Sequence, residues 1–286
     1  MTSVTITAKD VAELRARTGA GMLDCKKALE EAGGDMEKAT DLLRAKGIAK
    51  AEKRAGRSAT QGVIAIELAA DGQGGAMVEL NCETDFVART DDFQQLARDL
   101  ARQVLAHAPA GTGEGAALDG QAWEGSTIGQ VVKQTSGKTG EAIAFRRWAR
   151  LGGAGSTVAH YLHHNGMVGV LVEVTGGPAD AATQLGKDVA LHVASADPIG
   201  VRPDDIPADL VERERRIAEE QVAQEGKPEQ IRAKIVDGKI RKFVAERTLL
   251  EQPFVRDDTM TVGQLAEKAG KDLGVARFAR FQVGGS

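Results

Sequence analysis

Cysteine, aromatic residues and long apolar runs are all scarce in this 286-residue chain, and each scarcity excludes something. Cys25 and Cys82 are the only cysteines. They lie far apart and lack paired-ligand spacing, so neither a disulfide framework nor a zinc site is indicated, and a reducing compartment fits. No run approaches the roughly 18–20 apolar residues of a membrane span, and the N-terminus lacks an apolar signal core, so a cytoplasmic protein is expected. Aromatics make up 3 % of the chain while glycine is abundant, which points to cores of Val, Leu, Ile and Ala with close backbone approach. The formal charge is −4 and gives no global electrostatic reason to bind nucleic acid.

Catalytic signatures are missing as well. Thr135-Ser136-Gly137-Lys138-Thr139-Gly140 contains a Gly-Lys-Thr core but lacks the first glycine of a phosphate loop at the required spacing. His160, His163, His164 and His192 stand without a His-Glu-x-x-His or paired-carboxylate pattern. His163 reads as a turn residue suited to contacting a partner, and His192 as a core residue of an amphipathic helix. No enzymatic activity, resident metal or cofactor is expected.

What is present is organisation. At about 286 residues the chain exceeds the usual single-domain size of about 100–200 residues, so two or three units are expected. Residues 1–57 read as a small helical module with a basic linker, cut into three helices at Gly19/Gly21, Gly33-Gly34 and Gly47. Thr7 and Asp10 form a capping box for the first helix, with Val11 and Leu14 facing inward. Leu23 and Leu29 fall to the second helix, and Met36, Ala39, Leu42 and Leu43 to the third. That is little apolar area for a free-standing unit, so spare apolar surface or a partner is expected. Lys50, Lys53, Arg54 and Arg57 follow as a basic run and read as a solvated linker.

Beyond residue 58 the chain repeats itself. Val63 to Leu80, read as strand, glycine-rich turn and strand, is echoed by Val158 to Val174, and a helix follows each pair. Thr127-Ile128-Gly129-Gln130, leading to Phe145-Arg146-Arg147-Trp148, is matched by Thr261-Val262-Gly263-Gln264, leading to Phe278-Ala279-Arg280-Phe281. The spacing between the echoed strands and between the Thr-x-Gly-Gln segments differs by about 39 residues, so the second copy carries an insertion. The stretch from about 209 to 250 supplies it as two helices. Leu210, Val211, Ile217, Ala218 and Val222 line one, and Ile231, Ile235, Val236, Ile240, Phe243, Val244 and Leu250 the other. Gly226 and Pro228 stand between them, placed to stop the first and start the second. First and second core repeats are therefore expected at 58–151 and 152–286.

The segment Asn81-Cys82-Glu83-Thr84-Asp85-Phe86-Val87-Ala88-Arg89 puts an acid beside a large aromatic on a strand-to-helix connection, where functional side chains concentrate. Two readings of these residues stand side by side, a core Phe86 with a helix-capping Asp85 or a pair presented to a partner.

Thr84-Asp85-Phe86-Val87, with Asn81-Cys82 before it and Ala88 after it, resembles a signature of the elongation factor Ts family. Leu14 to Leu29, with Thr18-Gly19-Ala20-Gly21-Met22-Leu23-Asp24-Cys25 at its centre, is similar to the family's other signature. Similar stretches recur at 190–194, 226–228, 252–255 and 261–264. The resemblance implies an α+β fold: a three-helix, ubiquitin-associated-like N-terminal module, a duplicated α+β core with antiparallel sheets, and an inserted antiparallel helical hairpin. It implies a guanine-nucleotide exchange factor for the GTPase elongation factor Tu in translation elongation. In that family the aspartate-phenylalanine pair intrudes beside the GTPase's Mg²⁺ site, which assigns partner binding and Mg²⁺ dislocation to Thr84, Asp85, Phe86 and Val87. The same carry-over assigns GTPase docking to Met22 and Leu23, and a further contact to His163. The turn reads His163-His164-Asn165-Gly166-Met167 where relatives often have a glycine-rich turn with an arginine, so that contact is expected to be rewired.

Some relatives carry a C-terminal helical segment after the last strand, whereas this sequence stops at Ser286. With both repeats in one chain, a competent monomer is expected, with a homodimer or a 2:2 complex as the alternatives. No nucleic-acid or membrane partner is expected. Two rivals make different predictions. An adaptor would bind without altering nucleotide release, and an RNA-associated protein using residues 50–57, Arg277 and Arg280 would bind RNA with steep salt dependence.

Overall fold

The computed structural model describes residues 5–54, 56–225 and 228–285. Cα packing divides the chain into two compact units, Met1–Ala65 with Val78–Ala149 and Gln282–Ser286, and Ile66–Met77 with Arg150–Phe281. Helices dominate and the strands form antiparallel sheets, a mixed α+β fold. Among the described residues no helix is long and apolar enough to cross a membrane.

Three helices open the first unit: Ala8–Thr18 (α1), Met22–Glu31 (α2) and Met36–Glu52 (α3). The Thr7–Asp10 capping box forms in both directions, so two otherwise orphaned N–H groups are satisfied at the start of α1. Gly19 ends α1 at φ 68°, a left-handed cap that only glycine adopts without strain. Val11, Leu14, Cys25, Ala28, Leu29 and Ala39 make the module's core, with Met36 and Leu43 packed against it.

The expected role of Gly47 in this module is corrected. Gly47 does not end α3, which runs on to Glu52. The glycine instead permits a helix crossing, because a Cβ on Gly137 would come within 2.8 Å of the Gly47 Cα. The basic run is exposed to solvent at Lys50, Lys53 and Arg57, as expected, but it also makes specific contacts. Lys50 lies within α3 and pairs with Asp24 at 3.0 Å, Arg54 Nη1 donates to the Ser136 carbonyl at 3.2 Å, and Arg57 meets Glu83 at 3.3 Å.

The first repeat follows as Gln61–Leu68 (β1), Gly74–Cys82 (β2), Asp85–Ala88 (α4), Asp91–His107 (α5), Gly111–Glu114 (β3), Ala122–Trp123 (β4), Ser126–Thr127 (β5), Ile128–Thr139 (α6) and Ala144–Gly152 (β6). Its sheet has the order β1-β2-β6-β3. In α5, Phe93, Leu96, Ala97, Leu100, Ala101 and Val104 recur at helical spacing and are all buried. The Gly-Lys-Thr string lies in the C-terminal half of α6, where Gly137 meets α3, so it is a helix-crossing surface and not a phosphate loop.

The second repeat contains Ser156–Leu162 (β7), Val168–Thr175 (β8), Ala179–Ala196 (α7), Ala208–Gln224 (α8), Glu229–Arg247 (α9), Pro253–Phe254 (β9), Asp257–Thr261 (β10), Val262–Ala269 (α10) and Gly274–Gln282 (β11). Strands β7 and β8 pair antiparallel from Ser156–Thr175 to Leu162–Gly169. Their sheet has the order β11-β8-β7, so the terminal strand flanks the second hairpin strand, as β6 flanks β2 in the first repeat. Val170, Val172 and Val174 of β8 pack with Leu185, Val189 and Val193 of α7 and Val262 of α10.

The duplication extends to charge. Buried Glu79 of β2 is held by Arg146 at 3.1 Å and Arg147 at 2.7 Å, both on β6. Glu173 of β8 is held by Arg277 of β11 at 2.6 Å and accepts the Gly152 N–H at 2.9 Å. Each carboxylate therefore joins the second hairpin strand to a neighbour, and a lone buried charge would be costly without such partners.

The inserted helices α8 and α9 pack through Ala218, Val222, Val236 and Ile240, supported by Val211, Ile235 and Val244. Gly226, expected to stop the first helix, lies outside the described residues. Ile217 and Ile231, expected in the seam, are exposed, and Leu250 packs in the core of the second repeat. The hairpin's base is tied shut where Ile199 N donates to the Arg247 carbonyl at 2.9 Å and Leu249 N to the Gly200 carbonyl at 2.8 Å.

Candidate functional site

Strand β2 is buried along almost its whole length, and it delivers the chain directly into the Thr84–Val87 turn. Thr84 caps the four-residue helix α4, its Oγ1 accepting from Val87 N at 3.4 Å. Asp85 is therefore not the cap. Phe86 points out of the fold and is 81 % exposed, so the core-plug reading of this residue does not hold. Exposed, it forgoes the burial free energy that a core phenylalanine would contribute and leaves its apolar area open to a partner. Val87 is half-buried and Ala88 is buried, so the turn is anchored on one side only. Asp85 forms an exposed i,i+4 bridge to Arg89 at 3.0 Å, a contact that is weak in water and easily exchanged for another partner.

Sequence reasoning missed what holds the turn. Glu141, just after the α6 cap, accepts the N–H groups of Glu83 at 3.1 Å and Thr84 at 3.0 Å, and its Oε1 accepts the Thr84 hydroxyl at 2.6 Å. Glu83 answers by accepting the Ala142 N–H at 2.7 Å. That amide, aided by the Arg57 guanidinium, holds the Glu83 carboxyl below its usual range. Two glutamates thus clamp the turn reciprocally across about 57 residues of sequence. Carboxylates that accept backbone N–H groups are among the stronger hydrogen-bonding partners available. No periodicity announces Glu141; the one available signal is its place directly after Gly140, the left-handed cap of α6.

Cys82 lies under the turn and donates to the Thr84 carbonyl at 3.1 Å. Burial, followed by the charge of Glu141, pushes its thiol up to about 12, so it stays protonated and acts as a donor. Among the described residues no three His, Cys, Asp or Glu side chains converge in a way that would hold a metal ion.

The remaining sequence-derived site residues occupy other elements. Met22 and Leu23 open α2 and are 47 % and 64 % exposed. Leu23 therefore does not serve the module's core, whose α2 contribution comes from Cys25, Ala28 and Leu29. With Ile6, Ala8 and Val11 they line a shallow apolar groove that Lys26 borders. His163 belongs to the second unit, half-buried on the β7–β8 turn. Its Nδ1 lies 2.8 Å from the Tyr161 hydroxyl, and its ring lies 4.2 Å from that of His164. His192 is buried in α7, as expected of a core residue. Its Nδ1 accepts the Val255 N–H at 3.2 Å, which leaves Nε2 to donate to Gln252 Oε1 at 2.8 Å. Burial lowers its proton affinity, so the ring is neutral and structural.

Comparison with known proteins gives the family. A family model described as Elongation factor TS matches residues 83–285. Proteins named Elongation factor Ts are similar over 98 % of this chain. The one from Alkalilimnicola ehrlichii is 46 % identical with 92 % of its own length covered. Those from Aquifex aeolicus and Burkholderia mallei are 44 % and 48 % identical, with 98 % and 91 % covered. With the family model matching residues 83–285 and 44–48 % identity to these relatives over 98 % of its length, this chain belongs to the elongation factor Ts family.

Proposed function

We propose that this protein is a guanine-nucleotide exchange factor for elongation factor Tu, acting through the Thr84–Val87 turn and without catalytic chemistry of its own. The observation that carries the reading is Phe86, a large apolar side chain held outside the fold by a turn that Glu141 and Glu83 keep rigid. Pre-organising a protruding side chain removes the ordering cost it would otherwise incur on docking.

In this account Phe86 is the apolar wedge and Asp85 its polar companion, entering beside the GTPase's Mg²⁺. That ion holds phosphates through a near-octahedral oxygen shell, so small displacements of its ligands weaken its grip strongly. Asp85 is available for this role because its bond to Arg89 is exposed and exchangeable. Thr84 and Val87 set the direction of the wedge, Thr84 through its bonds to Glu141 and Val87 through its half-buried side chain.

The wedge does not suffice by itself. A 1,000-fold acceleration of release needs roughly 4 kcal/mol of differential stabilisation. Burying one phenylalanine supplies about 1.5–3 kcal/mol. The exposed Met22 and Leu23, which can bury comparable apolar area, are the proposed second anchor, and His163 a third contact. By linkage, a factor that weakens GDP binding is itself displaced by GDP to the same extent, so the complex is tightest without nucleotide. One chain carries both repeats, so a monomer is expected to be active.

The test is release of fluorescent GDP from elongation factor Tu, with the intact chain and with Met22→Ala/Leu23→Ala. Acceleration by the intact chain, with the variant requiring a higher concentration for the same rate, is expected. Binding to the GTPase with no acceleration at any concentration would contradict the exchange reading.

A further inference from the structure

We propose that the crevice between α1, α2, α3 and α6 is a binding site for a small polyphosphate anion, of the pyrophosphate or nucleoside-triphosphate class. The crevice lies within the first unit and encloses about 300 Å³, at the lower end of the range of small-ligand sites. Arg17, Lys27, Arg44, Lys46, Lys50 and Lys138 line it, and Asp24 is the single carboxylate among its lining residues.

Charge pairing decides what the crevice can hold. Arg17 is paired with Glu13 at 2.5 Å, Lys46 with Glu31, and Lys50 with Asp24 at 3.0 Å. Lys27, Arg44 and Lys138 have no carboxylate within 4.0 Å among the described residues, although the Arg44 guanidinium donates to neutral partners, Ser126 Oγ at 2.7 Å and the Gln134 side-chain oxygen at 2.6 and 3.1 Å. Three positive charges are therefore left uncompensated in one concavity of a chain whose formal charge is −4. Like charges gathered in one cleft repel one another and concentrate a positive potential there, which an anion relieves.

Two further features favour phosphate. Gly21, on the wall of the crevice, is the N-cap of α2 and supplies no side-chain cap, so the N–H groups of the first turn are open to an acceptor. Gly19 carries no side chain, and the aliphatic stem of Lys138, a lining residue, packs over it, 3.6 Å from where a Cβ would stand. Ala20 and Leu43 add an apolar wall against which a base or sugar can rest. The cations are gathered in a concavity and not along a stripe, an arrangement suited to a compact anion more than to an extended RNA backbone. This site does not depend on the exchange reading, since its occupancy is measured without the GTPase.

The experiment is isothermal titration of the intact chain at low salt with pyrophosphate, ATP and adenosine, repeated with Lys27→Glu/Lys138→Glu. Both lysines are exposed, and matching circular-dichroism melts will establish that the variant is folded. Saturable one-to-one binding of pyrophosphate and ATP is expected, with none of adenosine, and the variant should bind at least about tenfold more weakly. Tighter binding of ATP than of pyrophosphate would assign a nucleotide as the natural source; equal affinities would assign the polyphosphate itself. The proposal is overturned by absence of binding at millimolar ligand or by unchanged binding in the variant. It is equally overturned if a single-stranded RNA oligonucleotide binds through these lysines and pyrophosphate fails to displace it.

Discussion

Phe86 stands in water while the residues on either side of its turn are tied down, and the tie is made by an acid far away in sequence. Glu141 accepts two backbone N–H groups and one hydroxyl from the turn, so truncating it leaves three donors to find water or rearrange. Glu141→Ala is expected to lower stability by about 1.5–3 kcal/mol, the range for hydrogen bonds to charged groups. It should also slow nucleotide exchange, because the wedge loses its fixed direction. Urea denaturation and the exchange assay measure the two effects separately. Unchanged exchange in a folded Glu141→Ala protein would show that the turn needs no clamp. Phe86→Ala removes no internal contact of comparable size and should shift stability by less than about 0.5 kcal/mol.

Glycine has opposite meanings in two helices. At Gly137 of α6 a Cβ would press on the Gly47 backbone at 2.8 Å, and backbone cannot yield as a flexible side chain can. Gly137→Ala should therefore destabilise the first unit by about 1–3 kcal/mol despite the helix propensity gained. At Gly238, within α9, nothing lies within 4 Å of the added methyl. Gly238→Ala should stabilise by about 0.5–1 kcal/mol. Thermal melts of the two variants should move in opposite directions, and movement in the same direction would refute the crossing argument.

Elements of this kind were legible in the sequence to differing degrees. The capping box, the duplicated strand pairs and the inserted hairpin are local or periodic patterns, and the sequence carries such patterns in full. Gly47 misled because a helix-crossing glycine and a helix-ending glycine look alike until the partner helix is known. Leu23, Ile217 and Ile231 misled because periodicity identifies apolar positions but not which of them a neighbour covers. The Asp85-Phe86 string marked the candidate site at once, whereas the Glu141 clamp is a non-local contact with no period to reveal it.

Across the whole molecule, ionisation sets how stability depends on pH. His192 is neutral when folded, its proton affinity lowered by burial below the ordinary 6.5. The unfolded chain therefore binds a proton that the native state refuses. The stability from this group is complete above about pH 6.5 and is lost as the pH falls from there through the folded value. Asp10, Asp35, Glu83 and Asp257 act with the same sign at lower pH, since hydrogen bonds hold each carboxyl below its usual range. Stability measured by urea titration should fall between pH 7 and 5, and less steeply in His192→Gln. An unchanged slope in that variant would place the sensitivity elsewhere.

The two repeats share a strand order and a buried glutamate-arginine link, yet only the first carries the aspartate-phenylalanine turn, at Thr84–Val87. On the proposed reading, exchange belongs to one turn of an otherwise duplicated frame. The direct measurement is stopped-flow release of fluorescent GDP from elongation factor Tu by the intact chain and by Asp85→Ala/Phe86→Ala at equal concentration. Strong acceleration by the intact chain that collapses in the folded double variant is the predicted result. Equal acceleration by both would contradict the assignment of exchange to this turn.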